Sequence, residues 1–361
     1  MVGENDVKIL FIYSIDELFP VMNRYQIKLN KGWYRALHSL GIILFIFLGG
    51  LIMFDLHHDL LSIMHCCYLR DDYSYLETWL SNFREDNVSG LLANLYFMNS
   101  NEMKMMIGDH EINVVEMFKK ATELFKKYLP GKKVLFSIEG CDYIENVDEL
   151  EELYSLGLRN ILLVWNNPNK YGSGNKGDYG LTDLGRKFVL KAIDLGISID
   201  LSHMNHKTFY DTIELIKEEQ SKGKSVKVLA SHSNCYSICH HERNLDDDQL
   251  KALRSVDGLL GLVSYPLFVR DEDSLVDLEE LYLKHVEKAI SIMDIDHVGV
   301  SSDDMNFLEV MFNDDNATMM FPYQEIAKRI RKLLGTKYSQ DIVDKIMYKN
   351  SYHKLFKEEL K

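Results

Sequence analysis

Five side chains that commonly bind divalent metal ions follow short apolar runs at widely separated positions of the chain: His57, Asp59, Glu139, His203 and His232. The runs are rich in Val, Ile, Leu and Phe, which is typical of buried β-strands. His57 and Asp59 are two residues apart, so an extended backbone directs both side chains to the same side. Glu139 carries two oxygens and can bridge two ions, and His203 and His232 can supply nitrogen ligands to the second ion.

Asp303 ends a further apolar run, which begins at His297, and it completes a hydrolytic arrangement. Two divalent ions about 3.5–4 Å apart share a water molecule and lower its pKa from about 15.7 towards about 7, which yields hydroxide at neutral pH. Asp303 is then free to accept a proton and to pass it on. The residues therefore predict a hydrolase in which a metal-bridging hydroxide attacks the substrate.

The apolar runs alternate with helical patterns, which predicts eight strands joined by crossover helices. A parallel barrel gathers the carboxyl ends of its strands on one rim, so residues far apart in the sequence can meet in one pocket. We therefore expect an α/β fold, a (β/α)8 TIM-type barrel like that of metal-dependent hydrolases, with C-terminal helices packed outside it. Helices are predicted at residues 114–128, 184–195, 207–222, 275–293 and 323–360, and strand ends at Glu139, Trp165, His203, His232 and Asp303.

The composition limits the classes of function that the chain can have. Of its 361 residues, 46% are hydrophobic and 27% are charged, as in ordinary soluble globular proteins. The formal net charge of −14 argues against nucleic-acid binding, which needs a basic surface. The 5 cysteines, an odd number, and the absence of a clear cleavable signal favour reduced thiols and a cytoplasmic location. Cys235 and Cys239 follow His232, and we interpret them as buried thiols on a helix rather than as metal ligands.

Residues 41–52 form an apolar stretch within an N-terminal extension, residues 1–52, which precedes a single predicted barrel domain at residues 53–361. Basic residues lie before the stretch, so one interpretation is a membrane anchor that would associate the protein with a membrane. A spanning helix needs about 20 apolar residues, however, and residues 51–54 are also needed for the first strand. A further hypothesis is that translation starts at Met53 and that the extension is not part of the native product.

Seven segments of the chain carry a recognisable combination of residues. They are Phe-Asp-Leu-His57-His-Asp59, Ser-Ile-Glu139-Gly, Gly-Leu-Thr-Asp-Leu-Gly185, Ile-Asp-Leu-Ser-His203, Ser-His232-Ser-Asn, His-Glu-Arg243-Asn244-Leu and Asp-His-Val-Gly-Val-Ser-Ser-Asp303. No segment is specific alone, but in this order and spacing they resemble the membrane (renal) dipeptidases, zinc peptidases with a (β/α)8 barrel and many bacterial members. The resemblance runs from about Met53 to the C-terminus.

The resemblance implies a dipeptide substrate and two Zn²⁺ ions per chain. His57, Asp59 and Glu139 would hold one zinc ion, and Glu139, His203 and His232 would hold the other. Glu139 and a water or hydroxide would then bridge the two ions. The choice of zinc over manganese or cobalt rests on the resemblance, since mixed nitrogen and oxygen ligands accept several ions.

The resemblance also assigns two residues to the substrate. Arg243 would bind the free carboxylate of the substrate, because a planar guanidinium binds a carboxylate through two parallel hydrogen bonds. Asp303 would bind the free amine and would accept and pass on the proton. Together with Glu139, which would bridge the two ions, Asp303 is a predicted catalytic residue. A site with a partner for each terminus would favour dipeptides over longer chains.

Trp165 stands where many members of the family carry a histidine that helps to stabilise the tetrahedral intermediate. Asn166 is the candidate to donate the missing hydrogen bond to the substrate. The substitution leaves open a catalytically impaired metal-binding barrel that acts as a binding protein. A related amidohydrolase-type hydrolase is the other alternative, although such enzymes usually begin with His-x-His where this chain has His57-x-Asp59. A homodimer is also left open.

Overall fold

Eight parallel strands form a closed barrel, and strands that are consecutive in the sequence are neighbours in the sheet. The structure is a computed structural model that describes residues 53–58, 72–83, 88–96, 113–130, 132–304, 320–321 and 323–357. The predicted TIM-type barrel is confirmed. Its strands are β1 (Phe54–His58), β2 (Gly90–Tyr96), β3 (Lys133–Glu139), β4 (Leu158–Leu162), β5 (Ser198–Asp200), β6 (Val228–Ala230), β7 (Leu259–Val263) and β8 (Val298–Ser301).

Helices follow the strands and complete the α/β alternation. Gly157 and Gly196 end two of them with φ angles of 116° and 79°, in the left-handed conformation that glycine adopts without strain. The predicted helix at residues 114–128 is confirmed as α2. The helices are α1 (Ser74–Phe83), α2 (Val114–Tyr128), α3 (Glu149–Leu156), α4 (Asp183–Leu195), α5 (His206–Ser221), α6 (Asp247–Ser255), α7 (Pro266–Val269), α8 (Leu278–Met293), α9 (Tyr323–Gly335) and α10 (Gln340–Asp344), and π-helical turns follow at Lys345–Lys349 and Tyr352–Phe356.

The strand register determines which residues reach the carboxyl-end rim of the barrel. β2 and β3 pair from Gly90 opposite Lys133 to Tyr96 opposite Glu139, so Glu139 lies at the end of β3 as predicted. In contrast, β5, β6 and β8 end two or three residues before His203, His232 and Asp303. The prediction that these three residues end strands is therefore wrong, and so is the predicted strand end at Trp165, because β4 ends at Leu162. The residues that follow these strands are buried although they lie outside the sheet: Leu201, Ser202, Ser231 and Ser302.

The C-terminal helices pack against the outside of the barrel beside β1 and β8, as the sequence predicts. Phe356 and Tyr352 pack edge-on against Phe54 of β1, with ring centroids 4.8 and 6.1 Å from that of Phe54. Asn350 donates a hydrogen bond through Nδ2 to the backbone oxygen of Val298 at 2.8 Å. The helical segment is interrupted between α9 and α10, where the sequence predicts a continuous helix.

The elements described above lie in one compact unit that spans residues 52–361. Within the described ranges, no helix is both long enough and apolar enough to cross a membrane. The predicted extension at residues 1–52, and with it the choice between an anchor and a start at Met53, lies outside the described residues.

A histidine bridges two acidic residues in the turns that precede β7 and β8. His297 Nδ1 lies 2.7 Å from Asp294 Oδ1, and His297 Nε2 lies 2.8 Å from Asp257 Oδ1. Asp257 and Asp294 both have positive φ angles, of 59° and 63°. Although partial burial raises the pKa of Asp257, hydrogen bonds from Lys354 and His297 outweigh it and bring the pKa below its usual value. His297 therefore links the turns at the rim opposite the predicted ligands.

We predict that His297→Ala lowers the free energy of unfolding by about 1–3 kcal/mol, because it leaves two carboxylates without their shared partner. Urea denaturation at neutral pH, followed by circular dichroism, measures the change. His353→Ala removes an exposed histidine that lines the same surface pocket as Asp257, and it should leave the midpoint unchanged. Equal midpoints for the two variants would contradict the proposed structural role of His297.

Candidate active site

Three of the predicted ligands, His57, Glu139 and His232, meet at the carboxyl-end rim of the barrel. They come from β1, from the end of β3 and from the loop after β6, and all three are buried. One donor atom from each lies within 4.8 Å of the donor atoms of the other two. His57 Nε2 is 3.4 Å from Glu139 Oε2, and the rings of His57 and His232 have centroids 3.8 Å apart. These three side chains could hold one metal ion.

His203 joins this cluster from the loop after β5. Its Nε2 atom lies 2.6 Å from Glu139 Oε1 and 2.9 Å from His232 Nε2. Glu139 therefore faces His57 with one oxygen and His203 with the other, as a carboxylate that bridges two ions must do. Four of the five predicted ligands converge in this way. The fifth, Asp59, lies outside the described residues.

The ligand atoms of the cluster carry lone pairs that face one another, an arrangement that a metal cation stabilises. Asn166 Oδ1 can only accept a hydrogen bond and lies 2.9 Å from His203 Nδ1, so His203 carries its proton on Nδ1. His203 Nε2 therefore directs a lone pair towards the Glu139 carboxylate and His232 Nε2. Buried acceptors that face one another cost free energy unless a cation or a proton lies between them. The residues thus fit a divalent metal with nitrogen and oxygen ligands.

Burial and neighbouring charges also favour the protonation states that bind metals. Burial, together with the charge of Arg243, lowers the pKa of His203 to about 3. Burial and the charges of His57 and Arg243 likewise lower the pKa of His232 well below its usual value. Burial acts to raise the pKa of Glu139, but His203 and His57 outweigh it, and this pKa lies well below its usual value. Neutral imidazoles and an ionised carboxylate are the forms that ligate metals.

Polar side chains contact the ligands from behind and fix their orientation. Ser231 Oγ lies 2.9 Å from His232 Nδ1 and 3.3 Å from His57 Nδ1, so one hydroxyl contacts two of the histidines. Asn94 of β2 donates through Nδ2 to Glu139 Oε2. Partners of this kind set the tautomer and the ring orientation of a metal ligand.

Asp55, a buried residue of β1 for which the sequence predicts no role, joins the first and last strands beside the cluster. Its Oδ1 atom accepts hydrogen bonds from the backbone N–H groups of His57 at 3.3 Å and of Ser302 at 2.8 Å. The Tyr323 hydroxyl lies 3.2 Å from Asp55 Oδ2. Complete burial raises the pKa of Asp55 to about 6, against the effect of its hydrogen bonds with Ser302. Asp55 thus fixes the backbone that carries His57.

Asp200, at the end of β5, has the same role between β5 and β6. Its Oδ1 atom accepts hydrogen bonds from the backbone N–H groups of Ser202 at 3.1 Å and of Ser231 at 3.0 Å. Asn160 of β4 donates through Nδ2 to Asp200 Oδ2 at 3.1 Å. The signal in the sequence was an aspartate among apolar strand residues, since a buried carboxylate must find hydrogen-bond donors.

Arg243 and Asp303, the predicted substrate-binding residues, both lie beside the cluster. Arg243 is 5% exposed, and its Nη2 atom lies 2.7 Å from His232 Nε2. Burial lowers the pKa of Arg243 to about 10, which leaves the guanidinium charged at neutral pH. Asp303 Oδ1 lies 3.8 Å from His57 Nε2, and the backbone of Asp303 has a φ angle of 51°. The structure thus places a cation and an anion next to the same group of ligands.

Trp165 and Asn166, after β4, both contact His203. The Trp165 ring centroid lies 5.9 Å from that of His203, and Asn166 Oδ1 contacts His203 Nδ1. Asn166 therefore lies behind His203, a predicted metal ligand, and the sequence did not indicate this contact. Its role as a hydrogen-bond donor to substrate stays a prediction.

Cys235 and Cys239 are buried, as expected, but they lie in the loop after β6 and not on a helix as predicted. Cys235 Sγ donates to the backbone oxygen of His285 at 3.6 Å, and Cys239 Sγ donates to that of Leu267 at 3.4 Å. Neither thiol belongs to the ligand cluster found among the described residues.

The family model of the membrane dipeptidases, peptidase family M19, matches residues 60–358. An uncharacterized protein of Klebsiella pneumoniae from the pqqA 5′ region is 31% identical over 216 residues, which are 56% of this chain and 73% of that protein.

Solved structures share the fold. A metallopeptidase described as dipeptidase AC matches with a TM-score of 0.64 and 24% identity, over 84% of this chain and 97% of that one. A metallopeptidase of Rhodobacter sphaeroides, solved with a phosphinate mimic of the dipeptide L-Ala-D-Ala, matches with a TM-score of 0.62 and 22% identity, over 84% of this chain and 98% of that one. At these identities the likeness concerns the fold alone.

We predict that Asn166→Ala weakens metal binding by about 10- to 100-fold, because His203 loses the partner that fixes its tautomer. Titration of the metal-free protein with zinc in the presence of a competing chelator measures the affinity. Gln340→Ala removes an exposed amide from α10 and should leave the affinity unchanged. If Asn166→Ala binds zinc as tightly as this control does, the contact does not orient His203.

Proposed function

The chain belongs to the membrane dipeptidase family, and from this premise we propose that it is a zinc-dependent dipeptidase that hydrolyses the peptide bond of dipeptides. The observation that carries the proposal is the convergence of His57, Glu139, His203 and His232 from four parts of the barrel, with Arg243 in contact with His232. This arrangement combines a candidate metal centre with a buried cation for a substrate carboxylate.

We propose two zinc ions per chain, the metal and the number that the family resemblance implies. His57 and Asp59 would hold one ion, His203 and His232 would hold the other, and Glu139 would bridge them. Bound zinc supplies a Lewis acid for the peptide carbonyl and a water molecule with a lowered pKa. Ser231 would hold His57 and His232 in place through their Nδ1 atoms, and Asn94 would hold Glu139 in place through a hydrogen bond to Oε2.

Arg243 would bind the carboxylate of the dipeptide. In the structure its Nη2 atom contacts His232 Nε2, which is the atom that His232 would use as a ligand. One lone pair cannot serve both a metal ion and Arg243, so a His232 that holds a metal would leave the guanidinium to the substrate. The buried position of Arg243 strengthens this interaction, because a charge-assisted pair is less screened away from water.

Asp303 would bind the free amine of the dipeptide and transfer the proton to the leaving amine. It is nearly buried and lies beside His57, 3.8 Å from Nε2, so it reaches the same space as the ligands. A cationic partner for one terminus and an anionic partner for the other select substrates of a fixed length. Asn166 would add a hydrogen bond to the substrate through its amide nitrogen, which is distinct from the oxygen that contacts His203.

A catalytically impaired binding protein is the second candidate function, and Trp165 is the observation that favours it. An indole does not supply the imidazole that many members of the family carry at this position. Such a protein would retain its metal ligands and Arg243 and would bind dipeptides without turnover.

The proposed function is tested by metal analysis of the purified protein beside assays with L,L- and L,D-dipeptides in the presence of zinc. We expect about two ions per chain, as in other two-metal hydrolases, together with release of free amino acids. Full metal occupancy without turnover would favour the binding protein, and a chain that retains no metal would overturn both candidates.

Glu139→Gln should reduce both the zinc content and the turnover of dipeptides, because an amide is a weaker bridge than a carboxylate. Inductively coupled plasma mass spectrometry and the dipeptide assay measure the two effects. Glu219→Gln is the matched control, since Glu219 is also buried but pairs with Lys222 and Lys224 on the outer side of the barrel. Retention of two ions by Glu139→Gln would contradict the bridging role.

Arg243→Lys should lower kcat/KM for dipeptides by about 10- to 100-fold, because a bidentate charged hydrogen bond is worth about 1.5–3 kcal/mol. The same variant should hydrolyse a dipeptide amide about as well as the unaltered protein does, since the amide has no terminal carboxylate. Arg186→Lys, on the exposed face of α4, is the control. An equal loss with both substrates would assign Arg243 to another role.

A further inference from the structure

A cavity of about 370 Å³ opens beside His203 and Arg243, between the loops that follow β5 and β6. This volume lies in the range of about 300–1,000 Å³ that small-molecule sites occupy. Arg243 forms part of its wall and is almost fully buried, and its Nε atom has no hydrogen-bond partner in the described part of the chain. The cavity therefore adjoins the candidate metal centre through a buried cation.

Two carboxylates lie on the wall of the same cavity. Glu242, next to Arg243 in the chain, is exposed and makes no ion pair with any described residue. Asp246 Oδ1 accepts hydrogen bonds from the first turn of α6, whereas its Oδ2 lies 3.5 Å from His206 Nε2. Asp246 is thus partly satisfied within the protein, and Glu242 is the carboxylate available to a ligand.

The position of Arg243 indicates which part of a dipeptide enters the cavity. In a dipeptide the terminal carboxylate and the side chain of the C-terminal residue are attached to the same carbon atom. If Arg243 holds that carboxylate, the adjoining side chain extends into the space beside Arg243. Tyr236, a residue of the cavity wall that is 40% exposed, offers an apolar surface for a long aliphatic stem.

We propose that this cavity is the subsite for the side chain of the C-terminal residue and that Glu242 makes it favour a cationic side chain, that of lysine or arginine. The proposal rests on the dipeptidase function proposed above and names its substrate class. Lysine combines an aliphatic stem for Tyr236 with an ammonium group for Glu242. Aspartate and glutamate are disfavoured, because Glu242 and Asp246 would repel a third carboxylate.

The test compares kcat/KM for L-Ala-L-Lys, L-Ala-L-Met and L-Ala-L-Glu, since methionine is an uncharged side chain of similar length. The expected order is Lys, then Met, then Glu. Glu242→Gln should reduce the preference for Lys over Met about two- to fivefold, the range of a single exposed charge pair, and 0.5 M salt should have a similar effect. Glu242→Lys should reverse the order of Lys and Glu.

Glu272→Gln is the matched control, because Glu272 is an exposed glutamate of the loop after α7 that does not line the cavity. It should leave the order of the three substrates unchanged. A further series, L-Lys-L-Ala and L-Met-L-Ala, examines the N-terminal residue, and Glu242→Gln should not alter that ratio.

The outcomes separate the two proposals. Turnover of all the dipeptides with the same Lys-to-Met ratio in the unaltered protein and in both Glu242 variants would overturn the subsite and leave the dipeptidase function intact. A change confined to the N-terminal series would also overturn the subsite, since Glu242 would then face the other residue of the substrate. Absence of turnover with every dipeptide at full zinc occupancy would overturn the dipeptidase function and the subsite together.

Discussion

The mutual repulsion of buried lone pairs at one point of the barrel rim is the constraint on which the rest of the structure depends. Glu139 Oε1, His203 Nε2 and His232 Nε2 lie between 2.6 and 3.6 Å apart. In a buried setting such acceptors are costly unless a cation or a donor lies between them, and Arg243 Nη2 contacts only His232 Nε2 among the three. Their positions must therefore be imposed by the scaffold, and a closed barrel does so because each side chain is attached to a different strand or strand-end loop.

Side chains continue this scaffold beyond the point where the sheet ends. His203 and His232 lie after the last residues of β5 and β6, where few backbone hydrogen bonds to the next strand remain: Leu201 N–H donates to Leu229 O, and Ser233 N–H donates to Gly261 O. Asp200 accepts hydrogen bonds from the backbone N–H groups of Ser202, after β5, and of Ser231, after β6. Asp55 joins β1 to the residue after β8 in the same way. The positive φ angle of His203 is tolerated because its surroundings fix the backbone on either side.

The sequence predicts those features that follow from local periodicity and residue chemistry. The barrel, α2 and the position of Glu139 at the end of β3 are of this kind. The predicted strand ends at His203 and His232 are wrong, because the one or two residues between each strand and its histidine are buried as well, and burial does not distinguish a strand from a loop. The contact of Asn166 with His203 depends on how two loops fold towards each other, and no local pattern records that arrangement.

The pairing of β1 with β8 has a consequence for how the chain acquires this structure. Asp55 is paired with Val300, and Phe54 packs against Phe356 in the C-terminal segment. Closure of the barrel thus joins regions separated by most of the sequence, and contacts of such high separation form slowly. During synthesis, the first strand must wait for its partner to leave the ribosome. Until then the β8-facing edge of β1 has no partner, and unpaired strand edges are the sites at which incomplete chains associate.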